Sequence, residues 1–90
     1  MASGWRSVIR NAEFDEQLAG LIPWEPWADE YLAAAEDLLA RLPSSGIFIA
    51  RESGADIWKL PLQPIKDRAV ELYYSFDQSV VVLLWIVAYQ

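Results

Sequence analysis

The amino-acid sequence predicts an α+β fold in which two N-terminal helices pack on one face of a mainly antiparallel sheet. Three segments near the end of the chain, 57–62, 70–76 and 80–89, have the β-branched, aromatic and other apolar residues typical of strands. Two earlier segments, 12–21 and 26–42, repeat apolar residues at helical spacing. Since residues 80–89 are apolar throughout, we expect this strand to be covered on both faces, with the helices as the covering material.

The first half of the chain carries local signals for one strand and two helices. Residues 5–10 alternate imperfectly between apolar and polar and predict the first strand. Asn11 is a suitable N-cap for the helix that follows, and Pro23 ends that helix. Pro26 fits the first turn of the second helix, which the Pro-Ser-Ser-Gly segment at 43–46 terminates.

The second half is predicted to form strands and turns. Residues 47–50 are an apolar patch that forms either a short strand or an ordered loop. Pro61 indicates that the strand at 57–62 lies at an edge or contains a bulge. A polar loop at 63–68 and a tight turn at 77–78 separate the remaining strands. The predicted order is β-α-α-β-β-β, with one extra short strand as the alternative.

The composition predicts one domain with exposed apolar surface, and it excludes several classes of function. Ninety residues predict a single domain, 1–90. A hydrophobic content of 54% with five tryptophans predicts exposed apolar surface that marks a partner interface. The sequence contains no cysteine and no histidine, which excludes disulfides, zinc sites built on those ligands and hydrolases that use a histidine base. We therefore expect no metal and no cofactor.

The charge of the chain is negative and unevenly distributed. A formal net charge of −6 argues against nonspecific nucleic-acid binding. Eight acidic residues and no basic residue lie between positions 11 and 40, whereas positions 41–68 are slightly basic. Acidic helices either keep an apolar domain soluble or steer a basic partner. The N-terminal residues lack a signal-peptide pattern and no apolar run reaches the length of a bilayer span, so we expect a soluble, cytoplasmic protein with no membrane association.

Several motifs, in this order, resemble the RelE/ParE superfamily of bacterial toxin–antitoxin toxins. The first helix opens with Asn-Ala-Glu-Phe-Asp at 11–15. The second ends in Leu-Pro-Ser-Ser-Gly at 42–46, much as the family has a Leu-x-x-Pro-x-x-Gly segment there. The hairpin at 72–84 is similar to the family's ending of tyrosine, apolar residue, aspartate, turn and valine-rich strand. The resemblance covers nearly the whole chain and implies a RelE/ParE-like domain over 1–90.

The resemblance implies candidate catalytic residues, because some members of the superfamily cleave messenger RNA. Those members use lysine, arginine and tyrosine instead of histidine pairs. The cations stabilise the phosphate charge that builds during attack by the 2′-hydroxyl, and the other groups transfer protons. On that pattern the candidates in this chain are Lys59, Arg68 and Tyr89.

Two departures from the nuclease pattern favour a different mode of action. Pro61 occupies the second basic position of the Lys59 strand, and Val70 and Glu71 stand where an arginine is expected. ParE-type members, which the family associates with inhibition of DNA gyrase, lack the nuclease set and are the closer functional analogy. Lys59 and Arg68 also have plain alternatives, as a solvated strand lysine and a member of a surface ion pair.

Aromatic residues supply the candidates for partner binding. Trp24 and Trp27 flank a proline-rich turn and predict an anchor for a partner, with helix packing as the alternative for one of them. Tyr73 and Tyr74 point to opposite faces of their strand, so one belongs to the core and the other to the surface. Tyr74 is the third candidate for partner binding, although a register slip of one residue exchanges the two.

Two functional hypotheses follow from these patterns. The first is a toxin or toxin-like component of a type II toxin–antitoxin system, bound by a cognate antitoxin protein. Its target is DNA gyrase or, if the nuclease chemistry is retained, the ribosome and its messenger RNA. The sequence leaves enzyme activity open, with endoribonuclease activity weak or absent. The second hypothesis is a non-catalytic protein-binding or homodimerising module on the same fold.

Overall fold

The computed structural model describes residues 5–89, and residues 1–4 and 90 of the predicted domain lie outside the described part. Residues 5–89 form two α-helices and a five-stranded sheet, which confirms the general α+β class. The elements are β1 (Ser7–Arg10), α1 (Ala12–Leu21), α2 (Glu25–Arg41), a 3₁₀ turn (Pro43–Ser45), β2 (Ile47–Glu52), β3 (Ala55–Ile65), β4 (Arg68–Phe76) and β5 (Val80–Ala88). The apolar patch after the second helix is therefore the extra short strand, β2.

The strands form one mixed sheet with the order β1-β5-β4-β3-β2. Strand β1 runs parallel to β5, and the other neighbours are antiparallel. Because β1 pairs with β5 only over residues 80–83, the rest of that edge of β5 needs another partner. Helix α1 supplies it, since the side-chain oxygen of Gln17 accepts a hydrogen bond from the Ile86 amide at 2.9 Å. This contact holds α1 along the end of β5.

Local side chains fix where α1 begins and how α2 attaches to β1. Asn11 is the N-cap that the sequence predicts, because its Oδ1 accepts a hydrogen bond from the Phe14 amide at 2.8 Å. Arg10 at the end of β1 forms ion pairs with two residues of α2, Asp29 at 3.1 Å and Glu36 at 2.9 Å. Part of the acidic charge of the helices is therefore neutralised within the fold.

The core lies between the helices and one face of the sheet. Its fully or almost fully buried side chains are Phe14, Leu18, Ile22, Ala28, Leu32, Leu39, Val70, Leu72, Tyr74, Val81, Leu83 and Ile86. The expectation that the last strand is covered on both faces is wrong. Two helices make one covering layer, so Val82, Trp85 and Val87 of β5 lie partly exposed on the other face.

Strand β3 is longer than the sequence indicates. It extends through the first three residues of the predicted loop at 63–68, and a two-residue turn joins it to β4. Lys66 and Asp67 form this turn with positive φ angles of 52° and 65°, the backbone conformation that the tightest hairpin turns require. The predicted loop is therefore wrong in extent.

Pro61 lies where the sequence places it, at an unpaired edge. Strand β2 pairs with β3 only as far as Lys59, so beyond that point the outer side of β3 faces no strand of the described sheet. The register with β4 also shifts between Leu62 and Ile65, which makes a bulge. Proline has no backbone N–H to donate to a neighbouring strand, and neither an unpaired edge nor a bulge requires that hydrogen bond.

Candidate functional site

The face of the sheet opposite the helices carries the polar cluster that most resembles a site. The register pairs Lys59 of β3 with Tyr73 of β4, so both side chains lie on this face. Glu71 lies two residues before Tyr73 on β4, so its side chain is on the same face. We call this surface, which no helix covers within residues 5–89, the open face. It brings residues of three consecutive strands side by side.

Four side chains on the open face form one connected group, which we call the Glu71 cluster: Lys59, Glu71, Tyr73 and Tyr89. The Lys59 ammonium lies 3.0 Å from Glu71 Oε2. The hydroxyls of Tyr73 and Tyr89 donate to Glu71 Oε1 at 3.1 and 2.9 Å, and the two hydroxyl oxygens are 3.0 Å apart. Two of the three predicted catalytic residues, Lys59 and Tyr89, therefore contact the same carboxylate, that of Glu71, which was not among the predicted site residues.

The electrostatics of the Glu71 cluster favour a fixed arrangement of charges. The hydrogen bond from Lys59, helped by those from the tyrosines, lowers the pKa of the Glu71 carboxyl below its ordinary value. The hydrogen bonds with Tyr73 and Glu71 raise the pKa of the Tyr89 hydroxyl above its ordinary value. A general acid or base works best with a pKa near the ambient pH. The pKa of Glu71 is lowered and that of Tyr89 is raised, so both pKa values move away from neutral pH, and the contacts of the cluster hold neighbouring strands together.

Arg68, the third predicted catalytic residue, does not join this group. It occupies the first position of β4, with the same parity as the core residue Val70, and therefore lies on the helix side of the sheet. One of its terminal nitrogens donates to the Ala88 carbonyl at 3.1 Å, and its Nε is buried without a hydrogen-bond partner in the described chain. The sheet separates Arg68 from Lys59.

The prediction that Tyr74 contacts a partner is wrong, because its side chain is completely buried. Its hydroxyl donates to the Pro43 carbonyl at 2.6 Å and accepts from the Gly46 amide at 3.1 Å. Burial raises the pKa of this hydroxyl. Tyr74 therefore joins β4 to the turn that ends α2, and Tyr73 is the member of the pair that reaches the open face.

The two tryptophans predicted to bind a partner are accessible. Trp24 precedes α2 and is 68% exposed, and Trp27 in its first turn is 50% exposed. Trp27 also lines a groove of about 510 Å³ between α2 and the unpaired edge of β3 near Pro61. Their exposure is compatible with an anchoring role, which remains a prediction.

Sequence reasoning missed an apolar surface at the outer strand of the sheet. Ile47, Phe48 and Ile49 of β2 are 52%, 51% and 44% exposed, and the outer side of β2 pairs with no strand in residues 5–89. We call these three residues the β2 apolar edge. Three consecutive apolar residues after a helix terminator were the available signal, but they predict a buried strand equally well.

Glu71 was missed for a different reason. In the sequence, Glu71 was noted only because it stands where the nucleases of the RelE/ParE superfamily are expected to have an arginine. Its two-residue spacing from Tyr73 places both on one face of a strand, but its meeting with Lys59 and Tyr89 depends on the register of three strands. That register is not readable from the residues alone.

No protein-family model, curated protein or solved structure matches this chain. The resemblance to the RelE/ParE superfamily therefore remains a prediction from motifs. In the part of the chain that the structure describes, no group of three or more acidic side chains is placed to hold a metal ion. Neither α-helix of residues 5–89 has the combined length and hydropathy that crossing a bilayer requires.

Proposed function

We propose that this protein is a toxin or toxin-like component of a type II toxin–antitoxin pair with a RelE/ParE-like fold, and that it acts by binding a protein. The observation that carries the proposal is the Lys59–Glu71 ion pair on the open face. The chain neutralises the candidate catalytic lysine with its own carboxylate. A ParE-like mode, with DNA gyrase as the candidate target and a cognate antitoxin as inhibitor, is consistent with that neutralisation.

The order of elements supports the superfamily assignment. Two helices follow the first strand and precede the antiparallel strands, as the resemblance implies. Two of the motifs that carry the resemblance are also in contact, because Tyr74 of the hairpin hydrogen-bonds to Pro43 and Gly46 of the helix-ending motif. This contact gives both motifs a shared structural reason to occur in one chain.

The electrostatics favour a protein target over an RNA substrate. RNA cleavage of the family's kind needs cations placed to stabilise a phosphate in its transition state. Lys59 is paired with Glu71, and Arg68 lies across the sheet against the Ala88 carbonyl. The formal net charge of −6 also opposes the approach of a polyanion.

The exposed apolar residues favour a protein partner. Trp24, Trp27 and the β2 apolar edge expose large side chains at two places on a domain of 90 residues. Contiguous exposed apolar surface on a small protein marks interaction sites, and tryptophan is enriched among the residues that dominate binding energy.

Growth of bacteria after tightly controlled induction of this chain tests the proposal. We expect growth arrest, and we expect it to be relieved by co-expression of a cognate antitoxin, which the proposal predicts to be encoded by a small adjacent gene. Lys59→Met should arrest growth as well as the natural chain, because the lysine charge is not used for cleavage. Phe48→Asp should weaken arrest, because a charge at the β2 apolar edge opposes burial against a partner.

Leu42→Asp is the matched control, since Leu42 is 56% exposed but lies outside the β2 apolar edge. Arrest that Lys59→Met abolishes, together with cleaved messenger RNA, would replace the protein-binding mode with the nuclease mode. Normal growth despite abundant folded protein would overturn the toxin proposal altogether.

A second candidate function is a homodimerising module. The observation that favours it is the unpaired outer edge of β2, where a second copy can add a strand through backbone hydrogen bonds. Sedimentation velocity distinguishes it from the first: the natural chain should sediment as a dimer and Phe48→Asp as a monomer. A monomeric natural chain at high concentration would rule the module out.

A further inference from the structure

A shallow apolar pocket lies on the open face beside the Glu71 cluster. It encloses about 270 Å³ between β2, β3, β4 and β5. We call it the Trp85 pocket, and the lining residues that matter here are Ile49, Glu52, Ile57, Tyr73, Trp85 and Val87. Sites for whole small molecules usually have volumes of about 300–1,000 Å³. A pocket of this size is suited to a single side chain.

One wall of the pocket consists of two aromatic rings held at a fixed angle. The rings of Tyr73 and Trp85 are 6.1 Å apart between centroids, with planes inclined at 66°. The indole nitrogen of Trp85 donates a hydrogen bond to Glu13 of α1 at 3.2 Å. This bond orients the indole, and it places a carboxylate at the edge of the ring.

The charged side chain that lines the pocket, Glu52, has no partner among the described residues. The side chain of Glu52 makes no hydrogen bond or ion pair with any residue from 5 to 89. Two cations of the neighbouring strands are engaged elsewhere, Arg51 with Asp56 at 2.7 Å and Lys59 with Glu71 at 3.0 Å. A ligand that enters the pocket therefore meets aromatic rings, an aliphatic lining and an unpaired negative charge.

We infer that the Trp85 pocket is a docking site for an arginine side chain of a partner protein. The aliphatic part of an arginine packs on Ile57 and Val87, as long basic side chains do on apolar surface. Its guanidinium stacks on an aromatic ring and pairs with the Glu52 carboxylate. Arginine fits better than lysine because a planar guanidinium makes both contacts at once.

The charge of the whole molecule agrees with this ligand. An acidic chain with a net charge of −6 attracts basic segments and repels acidic ones. The inference goes beyond the proposed function, because it concerns what the open face recognises, whether or not the chain arrests growth. A binding experiment on the isolated protein therefore tests it separately from the growth assay.

Nuclear magnetic resonance titration of the ¹⁵N-labelled full chain tests the inference directly. The probes are three blocked tripeptides with glycine on both sides of arginine, lysine or citrulline, the last being a neutral isostere of arginine. We expect the arginine peptide to shift the Trp85 indole resonance and the Ile57 and Val87 amides in a saturable manner. The lysine peptide should bind more weakly, and the citrulline peptide should not saturate.

Variants identify the group that binds the charge. Glu52→Gln should weaken binding of the arginine peptide roughly three- to ten-fold, the loss expected for one charged contact. Glu52 is exposed near the end of β2, so this variant should fold normally. Glu30→Gln makes the same change of charge on an exposed position of α2, across the sheet from the pocket, and should leave binding unchanged.

Three results would overturn the inference. The first is equal saturable binding of the citrulline peptide, which would make the pocket a neutral apolar site. The second is unchanged affinity in Glu52→Gln. The third is an equal loss of affinity in Glu52→Gln and Glu30→Gln, which would assign the binding to net charge alone.

Discussion

At Gly46 the structure leaves no room for a side chain. A Cβ atom there would lie 2.5 Å from the Tyr74 hydroxyl and closer still to the Lys59 carbonyl oxygen. The Tyr74 hydroxyl cannot move aside freely, because it bonds to both Pro43 and Gly46. We therefore expect Gly46→Ala to destabilise the protein by about 1–3 kcal/mol, the cost of overpacking a well-packed site. Chemical denaturation followed by tryptophan fluorescence measures this change.

Gly20 of α1 provides the matched control, because a Cβ there would meet no described atom within 4 Å. Gly20→Ala should be neutral or stabilise by up to about 1 kcal/mol, since alanine favours a helix over glycine. Equal effects of the two substitutions would show that backbone freedom, and not the close approach of Tyr74, determines the role of Gly46.

Residues with local roles could be predicted from the sequence, and residues that depend on register could not. Asn11 caps α1 as predicted, because a cap needs only the amide three residues later. The sequence left open which of Tyr73 and Tyr74 faces the core, because a shift of one residue exchanges the faces of a strand. The register with β5 itself shifts between these two tyrosines, a feature that no local pattern reveals.

Among elements, the Glu71 cluster joins β3, β4 and the residue that follows β5, and it makes stability depend on pH. Because the pKa of Glu71 is lowered in the folded state, its contribution is fully present above the ordinary glutamate pKa of about 4.3. The contribution is lost as the pH falls through the lowered value. We expect Glu71→Gln to destabilise by at most about 1 kcal/mol at pH 7, as for other accessible ion pairs, and by less at pH 3.

Urea denaturation of both proteins across this pH range measures the effect, with Glu30→Gln as the control for net charge. Glu30 is an exposed residue of α2 and should show no such pH-dependent difference. A destabilisation by Glu71→Gln that is the same at pH 3 and pH 7 would mean that packing, and not the Lys59 ion pair, supplies its contribution.

Elements with short-range signals were predicted well, whereas their extent and cover were not. The bounds of α1 and the turn after β4 follow from capping and turn residues, and both are confirmed. The turn at Lys66 and Asp67 was missed because neither residue is a glycine, although both adopt positive φ. Strand β5 was expected to be buried on both faces. On the open face, however, its side chains are partly exposed, and Tyr73 is the β4 aromatic residue that packs against Trp85 there.

For the whole molecule, the balance between charge and exposed apolar surface controls association. The sequence has a pI of about 4.4, so its net charge vanishes near that pH and molecules no longer repel one another. Without that repulsion, the β2 apolar edge and the unpaired backbone edge of the same strand can pair with another molecule. We expect light scattering to rise to a maximum near pH 4.4 and to be low at pH 7.

Replacing part of that edge separates the two causes. The double variant Ile47→Thr, Phe48→Thr keeps the charge and the strand preference of β2 but removes apolar surface, so its maximum should be lower at the same pH. Leu42→Thr removes an exposed apolar residue outside the β2 apolar edge and should scatter like the natural chain. An unchanged maximum in the double variant would instead show that Ile47 and Phe48 do not drive association. Since all of these variants have the same net charge, any difference between them measures the apolar contribution directly.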